Sequence, residues 1–197
     1  MDSLFDRLSA LFEEGHRAAI DDLLTDDRFA LPGRSTEAAV LIAVTDRPEP
    51  GVILTQRRKN MRDHPGQVAF PGGKLDAGEN AVAAALREAE EELSLPRDVP
   101  DIIGASDRYQ TGSGFVVTPV LAVIPADLPL VANPGEVEAW FEVPLATLFA
   151  CDIWTQREAF WRGDMRQYLE FQYGEFRIWG VTAAIISNLA RRVAWRG

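Results

Sequence analysis

A chain of 197 residues, 47% apolar and 25% charged, is long enough to bury one proper core and has the makeup of an ordinary globular domain. Its net charge of −10 weighs against wholesale binding to nucleic acid or to an anionic membrane. The lone Cys151 excludes an internal disulfide, no apolar run approaches the length of a bilayer span, and no signal peptide opens the chain, so a reducing cytoplasm is the expected setting.

From the N-terminus, Met1 to Leu31 reads as helical, with Leu4, Leu8, Leu11 and Phe12 at helical spacing and a second short segment over Ala18 to Leu24. Pro32-Gly33 punctuates the change to a different pattern. Ala38 to Val44 is a continuous apolar run of strand length, which predicts a buried strand. A turn over Arg47 to Gly51 leads to a partner strand, Val52 to Gln56. Asn80 to Leu93 has the pattern of a helix. Strands are then expected over Ile102 to Tyr109, Val116 to Ile124 and Glu136 to Val143, followed by a short helix that begins at Pro144. Gln167 to Tyr173 and Glu175 to Ile178 flank Gly174 as a hairpin, and Gly180 to Trp195 is an apolar-periodic helix. Strands interleaved with helices argue for an α/β sandwich with a helical extension over residues 1–35 and one domain over 36–197.

The stretch Gly73 to Leu95 carries the chemistry. On a helix, Glu88, Glu91 and Glu92 stand at i, i+3 and i+4 and share one face. Like charges at that spacing repel, and the helix dipole disfavours them in the last turns. Taken alone, such a run is more often a solvated helix face. Accepting both penalties on one patch points to a bound cation, and hard ions such as Mg²⁺ or Mn²⁺ take oxygen ligands and suit phosphorylated substrates. The i, i+4 pair Glu88 and Glu92 is favoured for direct ligation, and Glu91 is a third ligand or the base. Glu79 precedes the helix by one residue, where capping competes with metal binding.

Just upstream, Arg57, Arg58, Lys59 and Arg62 crowd six residues with His64 close behind, inside an acidic protein. A basic cluster facing an acidic metal site suits a polyphosphate held by both. His64 is assigned to phosphate contact or to holding its loop rather than to acid–base work. Gly72-Gly73 allows a tight turn and a close approach to ligand. Cys151 is read as a core thiol, and Trp179 as a weak candidate for stacking on a base.

Gly73, Glu79, Arg87, Glu88, Ala89, Glu91, Glu92 and Leu95 fill the spaced pattern of the Nudix hydrolase signature, which this stretch resembles. Ser94 departs from it, standing where the family has a helix-ending glycine, a task that Pro96 is expected to share. Leu54, Thr55, Arg57, Arg62, His64, Gly66, Gln67, Phe70, Pro71, Gly72 and Gly73 resemble the extra motif of the coenzyme A pyrophosphatase subgroup. Ile53 replaces its leucine, and Arg58 its small Ser or Ala. Thr111 to Phe115 and Arg177 to Gly180 also look like segments of that subgroup, so the resemblance spans roughly Glu37 to Leu189.

The resemblance implies a Nudix-type α/β/α sandwich with a mixed sheet. It implies metal-dependent cleavage of coenzyme A or its thioesters to 3′-phosphoadenosine 5′-phosphate and (acyl-)4′-phosphopantetheine. Catalytic roles then fall to Glu91, Arg87 and Glu88, with Arg87 positioning a glutamate. Substrate contacts fall to Arg57, Arg62, His64, Gln67, Gly72 and Gly73, and Mg²⁺ or Mn²⁺ to Glu88, Glu92 and Glu91. The partners are a small-molecule substrate and, as an open option, a second copy of the chain, with no nucleic acid and no membrane. Two alternatives stand beside this reading: a Nudix enzyme for ADP-ribose, dinucleotides or oxidised nucleotides, and a non-catalytic nucleotide sensor.

Overall fold

The computed structural model describes residues 2–27, 33, 35–60, 64–161 and 163–195, and of Cys151 only the backbone. Helix α1 (Leu4–His16) starts on a capping box. The Ser3 side chain accepts from the Asp6 amide, and the Asp6 side chain in turn accepts from the Ser3 amide. Its Leu4, Leu8 and Phe12 repeat every fourth residue and are buried. After it come β1 (Thr36–Asp46), β2 (Gly51–Arg57), β3 (Val68–Ala69), β4 (Gly72–Lys74) and α2 (Ala81–Leu93). Then follow β5 (Asp101–Ala105), β6 (Tyr109–Gln110), β7 (Phe115–Pro125), β8 (Val137–Pro144) and α3 (Leu145–Leu148). A 3-10 turn at Cys151–Ile153 leads to β9 (Thr155–Trp161), β10 (Asp164–Tyr173), β11 (Phe176–Trp179) and α4 (Val181–Arg192).

The larger sheet is mixed. β1 and β7 run parallel from Thr36↔Phe115 to Asp46↔Pro125, and the other pairings are antiparallel. β1 and β2 meet only near Val44↔Val52 and then part. The segment from β3 to β4 fills the split, β3 against the end of β2 and β4 against the start of β1. That insertion delivers Gly72 and Gly73 to the sheet surface beneath α2. The smaller sheet, β11-β10-β9, is antiparallel.

Each face of the large sheet has its own core. Ala39, Leu41 and Ala43 of β1 and Val120, Ala122 and Ile124 of β7 pack against Ala84, Ala85, Ala89 and Leu93 of α2. Ala38, Ile42 and Val44, with Val117, Leu121 and Val123, pack on the other side against α1 and α4. Strands buried on both faces read as unbroken apolar runs, which is why β1 and β7 were plain in the sequence. The result is the expected α/β/α sandwich with α1 added to the α4 side.

Three local readings are corrected. The second N-terminal helix over Ala18 to Leu24 does not form; this stretch runs as bends, turns and irregular chain. Asn188 of α4 takes both the amide and the carbonyl of Leu24, and Arg191 donates to the Asp22 carbonyl, so tertiary partners replace helical ones. Of the helical reading over Met1 to Leu31, residues 1 and 28–31 lie outside the described residues. The single strand over Ile102 to Tyr109 is broken into β5 and β6, and the Ser106 amide turns to the Pro119 carbonyl between them. Strand β9 was not foreseen, because most of its residues are exposed on both faces and carry no apolar alternation.

Candidate active site

Helix α2 begins where its sequence dictates. The Asn80 side chain accepts from the Ala83 amide as N-cap, and small alanines on its inner face let the helix lie close to β1. Its end is made by Ser94 itself, in left-handed geometry at φ 56, with its amide donating to Ala89 and Glu90 carbonyls. The serine takes the conformation for which the signature uses glycine. The exposed carbonyls of the last turn are covered from outside: the amides of Val131 and Asn133 donate to Leu93 and Glu92, and the Asn133 side chain donates to the Glu91 carbonyl.

Arg87, 14% exposed, is the clamp of the site. Its Nε and Nη2 grip the two Glu79 carboxylate oxygens at 3.1 and 3.0 Å, and Nη2 also donates to the Lys74 carbonyl at 2.9 Å. Its Nη1 reaches Glu88 at 2.8 Å and Glu91 at 3.4 Å. One guanidinium therefore ties the loop after β4 to the acidic face of α2, and these partners hold it firmly protonated. Glu79 is spoken for by Arg87 and by the Asp76 amide, so it belongs to the clamp.

The carboxylates differ in environment. Glu91 is 48% exposed at the rim. Burial pushes the Glu88 carboxyl above the usual range, partly opposed by Arg87. Glu92 is 3% exposed, and its Oε2 has no hydrogen-bond partner. Burial, aided by the Glu88 charge, pushes its pKa up to about 8 against the pull of Arg57 and a backbone hydrogen bond from Gly72. The glycines are required by contact. A Cβ on Gly73 would collide with the Glu88 carboxylate, and one on Gly72 with the Ala39 carbonyl and Val40.

A buried carboxylate oxygen without a partner, beside a second carboxylate held in a glycine cradle, is a donor set that fits a hard dication. Among the described residues no three His, Cys, Asp or Glu side chains converge as a ready cage. Magnesium needs none, since it is commonly held by one or two carboxylates with water and phosphate oxygens completing the shell.

Of the upstream residues, Arg57 lies near Glu92, and its buried Nε lacks a partner. Its amide donates to the Gln67 carbonyl at 2.9 Å, which folds the basic loop back onto the end of β2. His64 is exposed on that loop at φ 54. Arg62 lies outside the described residues. Trp179 packs edge-on to Tyr168 beneath the Arg177 guanidinium, so its ring is already engaged. Asn133, which ties the loop between β7 and β8 to the end of α2, was missed; the Asn-Pro-Gly turn was the local signal available.

A model of the family described as the NUDIX domain matches residues 35–165. The chain belongs to the Nudix hydrolase family. Its members use divalent cations such as Mg²⁺ or Mn²⁺ and act on small molecules. Over 181 residues it is 41% identical to the uncharacterized Nudix hydrolase NudL of Escherichia coli K12, covering 88% of this chain and 94% of that protein. NudL of Shigella flexneri is 41% identical over 183 residues, with the same coverage. The Nudix hydrolase RenU of M. smegmatis shares the fold at a TM-score of 0.51 and 22% identity, covering 65% of this chain and 82% of RenU. No helix among the described residues is long and apolar enough to cross a membrane.

Proposed function

We propose that this Nudix hydrolase cleaves the diphosphate bond of coenzyme A or its thioesters, releasing 3′-phosphoadenosine 5′-phosphate and (acyl-)4′-phosphopantetheine. The observation that carries this reading is the placement of the basic upstream segment: Arg57 near the buried Glu92, with the loop through His64 and Gln67 folded back on it. Coenzyme A carries a 3′-phosphate that ADP-ribose lacks, so a loop with Arg57, Lys59 and Arg62 has an additional anion to hold.

Glu88 and Glu92 would hold Mg²⁺ or Mn²⁺, with Glu91 at the rim as a third ligand or the base. The cation, once bound, neutralises diphosphate oxygens and acidifies the attacking water. Arg87 keeps Glu88 in position and leaves Glu91 the freedom of a half-exposed side chain. Gly72 and Gly73 keep the floor of the site low enough for Glu88 and the substrate. Arg57, Arg62, His64 and Gln67 would contact the phosphates. We assign residues 36–197 to this hydrolase domain and 1–35 to a helical extension, and place the reaction in the cytoplasm.

The test is product analysis with coenzyme A, dephospho-coenzyme A and ADP-ribose in parallel, each with Mg²⁺ or Mn²⁺, and with Glu92→Gln as control. The expected result is 3′-phosphoadenosine 5′-phosphate from coenzyme A, favoured over the other two and lost in the variant. Equal or better turnover of ADP-ribose overturns the coenzyme A assignment.

A further inference from the structure

Beyond α2, the active-site face of the large sheet continues over β2 and β8. Val52 and Leu54 of β2 and Val143 of β8 belong to the core shared with α1 and α4, while Ile53 belongs to the core under α2. Side chains alternate along a strand and paired residues share a face. Thr55 and its partner Trp140 therefore lie on the α2 side, as does Glu142 opposite Ile53. Arg57, two residues beyond Thr55, has the same parity and lies near Glu92. Helix α2 itself packs on β1, β4 and β7. Trp140 thus stands beside the carboxylates on one face, offset from Arg57 by about 4.8 Å across the strands and about 6.7 Å along them.

Four of the five tryptophans are engaged. Trp154 donates to the Leu148 carbonyl and packs edge-on to Phe171, Trp161 lies under Arg166, Trp179 under Arg177 and Trp195 under Arg7. Trp140 is 36% exposed, and among the described residues no ring, cation or hydrogen bond engages its indole. Its surroundings select against phosphate. Glu142 on the same face accepts from the Thr45 hydroxyl and pairs with Arg47 at 3.2 Å, and Glu138, two residues before Trp140, accepts from the Lys59 amide at 3.3 Å. The floor beside the ring is satisfied, because Thr55 donates its hydroxyl to the Ala69 carbonyl. A flat, uncharged group fits such a place, and in a nucleoside diphosphate that group is the base. We propose that Trp140 is the stacking platform for the purine base of the substrate, whose diphosphate then runs past Arg57 to Glu88 and Glu92. This rests on the substrate class proposed above and names a part of its site.

The experiment is equilibrium binding of ADP, and of inorganic diphosphate as the ligand without a nucleoside, to the full chain in Mg²⁺. Parent, Trp140→Ala and Trp140→Phe are compared, with sedimentation of the same samples. Trp140→Ala is expected to weaken ADP binding about tenfold, the scale of one base stacked on an aromatic side chain, and to leave diphosphate binding as in the parent. Trp140→Phe keeps a ring and should recover most of the loss. The KM for coenzyme A should rise in Trp140→Ala by a similar factor. Unchanged ADP binding in Trp140→Ala overturns the inference, and so does equal weakening of both ligands, which marks a structural residue. Separation of a dimer in Trp140→Ala with ADP binding intact also overturns it, by making the ring a contact with a second copy. A parent that binds ADP no better than diphosphate removes the base subsite. Preference for ADP-ribose over coenzyme A overturns the substrate assignment and leaves Trp140 standing, because both carry an adenosine 5′-diphosphate.

Discussion

Two ends of this molecule bury charge and treat it in opposite ways. At the end of α4, Arg192 is 6% exposed and each of its three nitrogens donates to a partner. Asp107 takes Nε and Nη2 at 2.7 and 2.8 Å, and the Gly15 and Ala18 carbonyls take Nη1. This partner holds the Asp107 carboxyl below its ordinary range. At the end of α2, Glu92 is buried as deeply, yet one of its oxygens has no partner and its proton affinity is raised. The first is a fastening: it ties the turn after α1 to α4 and leaves no nitrogen of Arg192 without a partner. The second stores an unmet electrostatic demand, which folding alone leaves unrelieved. Buried charge that is fully paired marks structure, and buried charge left wanting marks a place for a ligand.

The sharpest way to break the comparison is to remove one member at each end. Arg192→Ala leaves Asp107 and two carbonyls without their donor, and breaking such a pair costs about 3–5 kcal/mol. A protein of this size should then melt roughly 10 °C lower. Turnover per folded molecule should stay near that of the parent. A melt unchanged within a degree would show that the fastening is idle.

Glu92→Gln should do the reverse. Turnover is expected to fall at least about a hundredfold, as for loss of a group acting on developing charge, while the metal-free protein melts a few degrees higher. The pH dependence gives the sign. The Glu92 carboxyl is raised from 4.5 to about 8 in the folded chain, so between those values the folded state binds more proton than the unfolded one. Its contribution is therefore fully favourable below the unfolded value and is lost as pH rises through the folded one. Thermal melts of the metal-free parent should decline across that window more steeply than those of Glu92→Gln. Parallel curves would remove Glu92 as the source.

Gly73→Ala tests the cradle rather than the charge. The added methyl must displace the Glu88 carboxylate or lift α2 from β4. Overpacking of this kind costs about 1–3 kcal/mol. Steady-state kinetics should show turnover down by about tenfold or more, beyond what the stability loss explains. Full activity in a folded Gly73→Ala would mean that Glu88 need not sit where it does.

The same contrast explains what the sequence made legible. Helix α2, its Asn80 cap and its acidic face are local facts, written in spacing over a dozen residues, and β1 and β7 are runs buried on both faces. What was missed is non-local. Ala18 to Leu24 has helical periodicity, but Asn188 and Arg191, more than 160 residues away, take its backbone groups. The break between β5 and β6 follows a bulge after Ile102, close to Gly104, where the Phe12 ring of α1 occupies the space a side chain would need. The tie between the β7–β8 loop and the end of α2 becomes visible only when Val131 and Asn133 are seen hydrogen-bonded to the Leu93, Glu92 and Glu91 carbonyls. Arg87 was expected to position one glutamate, yet its length lets it reach Glu79, Glu88 and Glu91 together.

The smallest effect concerns the helix end that the signature and this chain build differently. Ser94 holds φ 56, a conformation that costs a side-chain-bearing residue about 1–2 kcal/mol. Its hydroxyl offers little in return, reaching the Val131 carbonyl only at 3.5 Å. Glycine would remove the strain but lose roughly 0.5–1 kcal/mol through the greater freedom of the unfolded chain. Ser94→Gly should therefore stabilise the protein by about 0.5–1 kcal/mol, roughly 2 °C in melting temperature. Because the end of α2 is also tied by Val131 and Asn133, turnover should not move. A drop in activity would mean that the strain at Ser94 helps set the direction of Glu91 and Glu92, and the helix end would then belong with the unmet demand rather than with the fastenings.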